Sequence, residues 1–192
     1  PGQEGGNAVA DVLFGDYNPA GRLPVTYYQS VEQLPPFENY DMEGRTYRYF
    51  RDEPLYPFGY GLSYTTFGYS DLKIPSKAKT GDKVIVKVKV TNTGKVAGDE
   101  VVQLYLKDEE ATTPRPIVQL EGFKRISLQP GESKLVEFEL EPRQFSIIGS
   151  DETRVIEPGW FTVSVGGGQP GTKGTTTVSG RIKLTGKDRV VE

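Results

Sequence analysis

Among 192 residues there is neither cysteine nor histidine. That excludes disulfide frameworks, thiolate nucleophiles, Ser–His triads and metals held by Cys or His. With a formal net charge of -3, 26% charged and 35% apolar residues, the chain offers no basic surface for nucleic acid. It also contains no apolar run near the ~20 residues of a membrane span.

Taken in chain order, Gly5–Phe14 places Ala8, Val9, Val12 and Leu13 at helical spacing, and Gly15 stands where a helix stops. The opening residues lack the basic region and apolar core of a signal peptide. Asp16 to Gly21 is a turn cluster. Leu23–Tyr28 reads as a short extended piece, edge-like because of Pro24. From Gln29 to Leu62 no period is clean: Pro35, Pro36, Pro54 and Pro57 interrupt a stretch dense in rings, among them Phe37, Tyr40, Tyr47, Phe50, Tyr56, Phe58 and Tyr60. Rings of that size are normally buried. One short helix and one extended piece supply too little surface, so residues 1–66 are expected to pack on protein outside this sequence.

Beyond Phe67 the period becomes two. Val84, Val86, Val88 and Val90 alternate with Ile85, Lys87, Lys89 and Thr91. Val102, Leu104 and Leu106 share a face of the next strand. Further strands are expected over Gln119–Leu128, around Val136, Phe138 and Leu140, through Phe161, Val163 and Val165, and over Thr175–Leu184. Turn residues punctuate them, notably Gln129-Pro130-Gly131 and Glu157-Pro158-Gly159. About seven short strands with no convincing helix predict a mainly β chain. Its fold class is a fibronectin-III-like (immunoglobulin-like) antiparallel β-sandwich over 67–192, preceded by a short α/β tail segment over 1–66.

The residues left for chemistry are carboxylates, Lys, Arg, Tyr, Ser and Thr. Asp108-Glu109-Glu110 and Asp151-Glu152 are visible acid clusters in expected loops, read as solvated surface rather than as a catalytic pair or a calcium loop. Gly59-Tyr60-Gly61 and Gly166-Gly167-Gly168 do not open helices after strands and read as turns, not phosphate cradles. No metal site and no cofactor are expected. Tyr40, Asp41, Glu43 and Arg45 form the one candidate substrate-binding segment, a ring beside groups that can hydrogen-bond hydroxyls. The plainer reading is an ordered linker with Arg45 paired to a nearby acid.

Four blocks in order carry a resemblance: Phe14–Thr26, Gly44–Phe50, Leu55–Phe67, and Gly98–Leu106 with Leu120–Arg125. Together they resemble the C-terminal portion of family 3 glycoside hydrolases, the end of an α/β-sandwich domain followed by a fibronectin-III-like domain. The resemblance implies a parent β-glucosidase or β-xylosidase, with the Gly44–Arg48 wording leaning slightly to the xylosidase side. It also implies upstream barrel and α/β-sandwich domains as partners, a homodimer as a further option, and a secreted or periplasmic location. Retention of configuration needs two carboxyl groups roughly 5 Å apart. In the family the nucleophilic Asp belongs to the barrel and the acid/base Glu to an upstream part of the α/β sandwich, so no catalytic residue is assigned here. The alternatives are a stand-alone carbohydrate- or protein-binding module and one half of a split enzyme.

Overall fold

The computed structural model describes residues 2–191. Helix α1 (Gly5–Phe14) ends at Gly15, whose φ of 87° places it in the left-handed region that terminates helices. The helix buries none of its residues. Leu23–Tyr28, expected as an edge strand, contributes a single bridge: Tyr27 pairs with Tyr56. Two short elements lie inside the region expected to be irregular, a 3-10 turn at Val31–Gln33 and the one-turn helix α2 (Thr46–Tyr49).

The sandwich follows, with β1 (Phe67–Lys73), β2 (Lys77–Lys79), β3 (Val84–Asn92), β4 (Gly98–Asp108), β5 (Gln119–Leu128), β6 (Ser133–Leu140), β7 (Ile147–Ile148), β8 (Arg154–Ile156), β9 (Gly159–Gly166), β10 (Thr177–Thr185) and β11 (Arg189–Val190). One sheet has the order β1-β3-β6, the other β2-β10-β9-β4-β5, and β11-β8-β7 form a small third sheet. All pairings are antiparallel except β2 with β10. The fold is thus mainly β, a fibronectin-III-like sandwich after a short helical segment.

The period-two residues meet between the sheets. Val84, Val86, Val88 and Val90 face Val102, Leu104 and Leu106, with Phe161, Val163, Val165, Ile182 and Leu184 completing the layer, all at most 5% exposed. Burial of this apolar layer is the main driving force for the sandwich. The five strands that the sequence reading did not name are β1, β2, β7, β8 and β11. All but β1 are two or three residues long, too short to show a period.

At the entry to the sandwich stands Asn92, fully buried. Its amide donates to the carbonyls of Val96 and Leu128, and its oxygen accepts from the Thr65 hydroxyl at 2.6 Å and from Gly94 N. A buried amide with both ends satisfied fixes the approach of residue 65 to β3.

Candidate functional site

The segment before Phe67 lies against the sandwich along a seam of specific contacts. Asn18 donates to Ala97 O, and its oxygen accepts from Ser63 and Tyr64 N. Arg22 reaches the sandwich end, where its Nη2 bonds both oxygens of Glu100 and its Nε donates to Gly167 O. Burial pushes the Glu100 carboxyl up, against the opposing pull of Arg22. The Tyr69 hydroxyl is buried near this pair without a hydrogen bond of ordinary geometry.

Further along, Gln103 donates to the carbonyls of Gly59 and Gly167 and accepts from the Tyr105 hydroxyl at 2.6 Å. Tyr47 stacks on Phe58, centroids 4.1 Å apart, and meets Tyr105 edge-on at 6.3 Å. Its hydroxyl accepts from Leu120 N, and Ile117 N donates to Arg48 O. Part of the aromatic stretch is therefore covered by this chain itself. The expectation of packing on protein outside this sequence left out this cover, which the sandwich supplies to Tyr47 and Phe58.

Beside the seam opens a groove of about 970 Å³. One wall is residues 50–57; the other is the turn 169–174 between β9 and β10. The first wall is held by Tyr27 N donating to Tyr56 O, by Leu55 N donating to Tyr27 O, and by Gln29 and Gln33 amides donating to Glu53 O. The second is held by the Thr172 and Thr175 hydroxyls donating to Gln169 O. Tyr56 and Tyr60 bring their rings to 5.3 Å, and Tyr27 meets Tyr56 edge-on at 6.4 Å. Thr26 lines the groove, and its hydroxyl is buried with no hydrogen-bond partner.

Comparison with known proteins gives two family matches. Residues 1–64 match the glycosyl hydrolase family 3 C-terminal domain, and residues 100–169 the fibronectin type III-like domain. The chain belongs to the C-terminal region of glycoside hydrolase family 3. A periplasmic β-glucosidase of Salmonella typhimurium is 47% identical over 178 residues, 86% of this chain and 23% of that protein. A β-xylosidase of Formosa agariphila is 46% identical over 171 residues, 86% of this chain and 24% of that protein. The solved structure of a β-glucosidase of Erythrobacter marinus superposes with a TM-score of 0.80 at 41% identity, covering 94% of this chain and 24% of that one. The chain thus spans about a quarter of the length of these relatives.

Within this family 3 region the candidate segment forms a closed turn outside the groove. Tyr40 is 88% exposed, and Asp41 and Glu43 are exposed. Arg45 gives its guanidinium to the carbonyls of Asn39 and Asp41 rather than to a carboxylate, so the expected ion pair is replaced by backbone bonds. The structure brings these four residues close in one turn and places none of them on the groove walls.

The acid clusters are satisfied locally. Asp108 accepts from Glu110 N, Glu109 pairs with Lys107 and Thr162, and Asp151 accepts from Thr153. Among the described residues no group of three acids is placed to hold a metal. A smaller pocket of about 300 Å³ is lined by Asp108 and Glu121, a residue that sequence reasoning did not single out. Burial pushes both carboxyls up. Glu121 accepts from the Gln119 and Gln144 amides, so it too is engaged by its own neighbours. No described helix is long and apolar enough to cross a membrane.

Proposed function

We propose that the chain serves as the non-catalytic C-terminal part of a retaining family 3 β-glycosidase, a β-glucosidase or β-xylosidase. On this reading residues 1–66 complete the α/β-sandwich domain, and residues 67–192 brace the domains that hold the reacting carboxyl groups. The observation that carries it is the distribution of exposed apolar surface. Among the described residues twenty large apolar side chains are left exposed, and fifteen lie before Phe67, thirteen of them away from the groove, including Leu13 at 73%, Phe14 at 84% and Phe37 at 91%. Surface of that kind on a helix that buries nothing is what a domain contact leaves when the partner is absent.

The test is recombination. The 192-residue chain is mixed with the upstream three quarters of the Formosa agariphila β-xylosidase or the Salmonella β-glucosidase. Neither part alone is expected to cleave p-nitrophenyl β-xyloside or β-glucoside; the mixture is expected to co-elute on gel filtration and to turn over. Enzyme-like turnover by the chain alone would overturn the reading. The same chromatography of a whole enzyme reads whether two copies associate. The periplasmic relative supports a secreted or periplasmic location for the whole protein.

The exposed Tyr40 ring, with Asp41, Glu43 and Arg45 in the same turn, supports a place for this turn at the border of the substrate cleft. Ala at Glu43 and Arg45 in the whole enzyme is then expected to raise KM. Unchanged kinetics at unchanged stability rule that placement out.

A further inference from the structure

We infer that the groove between residues 50–60 and the 169–174 turn binds a neutral, β-linked oligosaccharide. The saccharide class rests on the groove alone; the β-linkage rests on the function proposed above.

The groove presents rings in a fixed pose. Tyr56 is 44% exposed, braced by the edge of Tyr27 and tilted 36° to Tyr60. Its backbone is tied to Tyr27 and followed by the buried Pro57. A ring so held loses little freedom on receiving the C–H face of a pyranose, which favours binding.

Around the rings stand polar groups with unused capacity. The Asp52 and Glu53 carboxylates on one wall and the Lys173 ammonium on the other make no hydrogen bond or ion pair among the described residues. The carboxylates accept from hydroxyls, and the ammonium donates to them. With Arg51, the two cations balance the two acids, so a phosphate or polyanion gains nothing from the site. The volume of about 970 Å³ lies at the upper end of the range of about 300–1,000 Å³ usual for small-molecule sites, which fits several linked rings better than one.

Calorimetric titration of the 192-residue chain with xylohexaose and cellohexaose, beside the α-linked maltohexaose, tests the inference. Saturable binding of at least one β-linked hexamer is expected, weakened at least tenfold by Tyr56→Ala. Because that variant can disturb the Tyr27 bridge, Asp52→Asn with Glu53→Gln serves as the second. It is expected to weaken binding tenfold with an unchanged thermal midpoint. No heat with either β-linked hexamer at millimolar concentration, or binding unchanged in both variants, overturns the inference; equal binding of maltohexaose overturns the β-linked assignment. Binding that vanishes once the chain is recombined with the upstream part assigns the groove to the domain contact and also overturns it. Activity restored by recombination without any sugar binding defeats the groove while leaving the proposed function standing.

Discussion

Nη2 of Arg22 stands 3.0 and 3.1 Å from the two carboxylate oxygens of Glu100, joining positions 78 residues apart. The side chains are 11% and 3% exposed, and the remaining guanidinium nitrogens donate to the carbonyls of Ala20, Gly21 and Gly167. Taking one member away leaves the other charged, buried and unpaired. Arg22→Met is therefore expected to lower the unfolding free energy by about 3–5 kcal/mol, measured in urea. The double variant Arg22→Met, Glu100→Met removes both charges and is expected to recover the part of that loss due to the stranded carboxylate, while the carbonyls of Ala20, Gly21 and Gly167 lose the Arg22 donor in both variants. A double variant no better than the single one would mean that the pair itself, not the stranded charge, holds the seam.

Gly59 carries a second, purely steric prediction. Its φ is 77°, and a Cβ there would collide with Gln103 Oε1 and stand 2.9 Å from the Tyr105 hydroxyl. Neither neighbour can yield, because both lie in the hydrogen-bonded chain that ends on Gly59 O. Gly59→Ala is expected to cost about 2–4 kcal/mol from strained backbone and overpacking together. Urea unfolding measures the loss. The displaced Tyr105 should also change the near-ultraviolet circular dichroism.

How far the sequence discloses this molecule depends on how local each feature is. The core strands were legible because Val84 to Val90, Val102 to Leu106 and Phe161 to Val165 alternate, and every residue placed inward is buried. That Gln103 and Tyr105 on the opposite face of β4 are buried as well was not, because the residues that cover them, Gly59 and Tyr47, come from the segment before the sandwich. Helix α1 was legible from its spacing and Gly15. Strand β1 was not, because Asp71 at φ 53° and the register shift between Ser70 and Lys73 break its alternation. The groove was illegible for a different reason. Tyr56 meets the 169–174 turn only through the fold, more than a hundred residues away in sequence. The Tyr40–Arg45 segment stood out by local composition, which says nothing about what faces it.

Asp108 makes stability depend on pH. Burial pushes its carboxyl up, opposed by the Glu110 backbone bond and by Arg115. The folded chain therefore keeps this proton to a higher pH than the unfolded chain. The contribution is full below the unfolded value and lost as pH rises through the folded one. Asp108→Asn keeps the acceptor oxygen that Glu110 N uses and cannot ionise. Its stability relative to the parent chain is expected to rise as the pH climbs above the ordinary carboxylate range, about 4. A difference that stays flat across that range would contradict the assignment.

Leu13 and Phe14 separate folding from assembly. Both sit on α1, 73% and 84% exposed, and α1 is joined to the rest of the chain through the Tyr64 hydroxyl on Val12 O. Changing each to Gln preserves good or fair helix propensity and removes no buried contact, so the chain alone should lose less than about 0.5 kcal/mol per site in urea. If the upstream domains cover these side chains, each loses about 1.5–3 kcal/mol of burial in the complex. That is roughly a ten- to hundredfold weaker association, read by titrating the upstream part. Leu104→Ala should do the reverse. It opens a cavity at a fully buried core position and costs about 2–5 kcal/mol of folding, yet leaves the α1 surface untouched. Equal loss of association from the Leu13 and Leu104 variants, at temperatures where both remain folded, would show that α1 is not the contact.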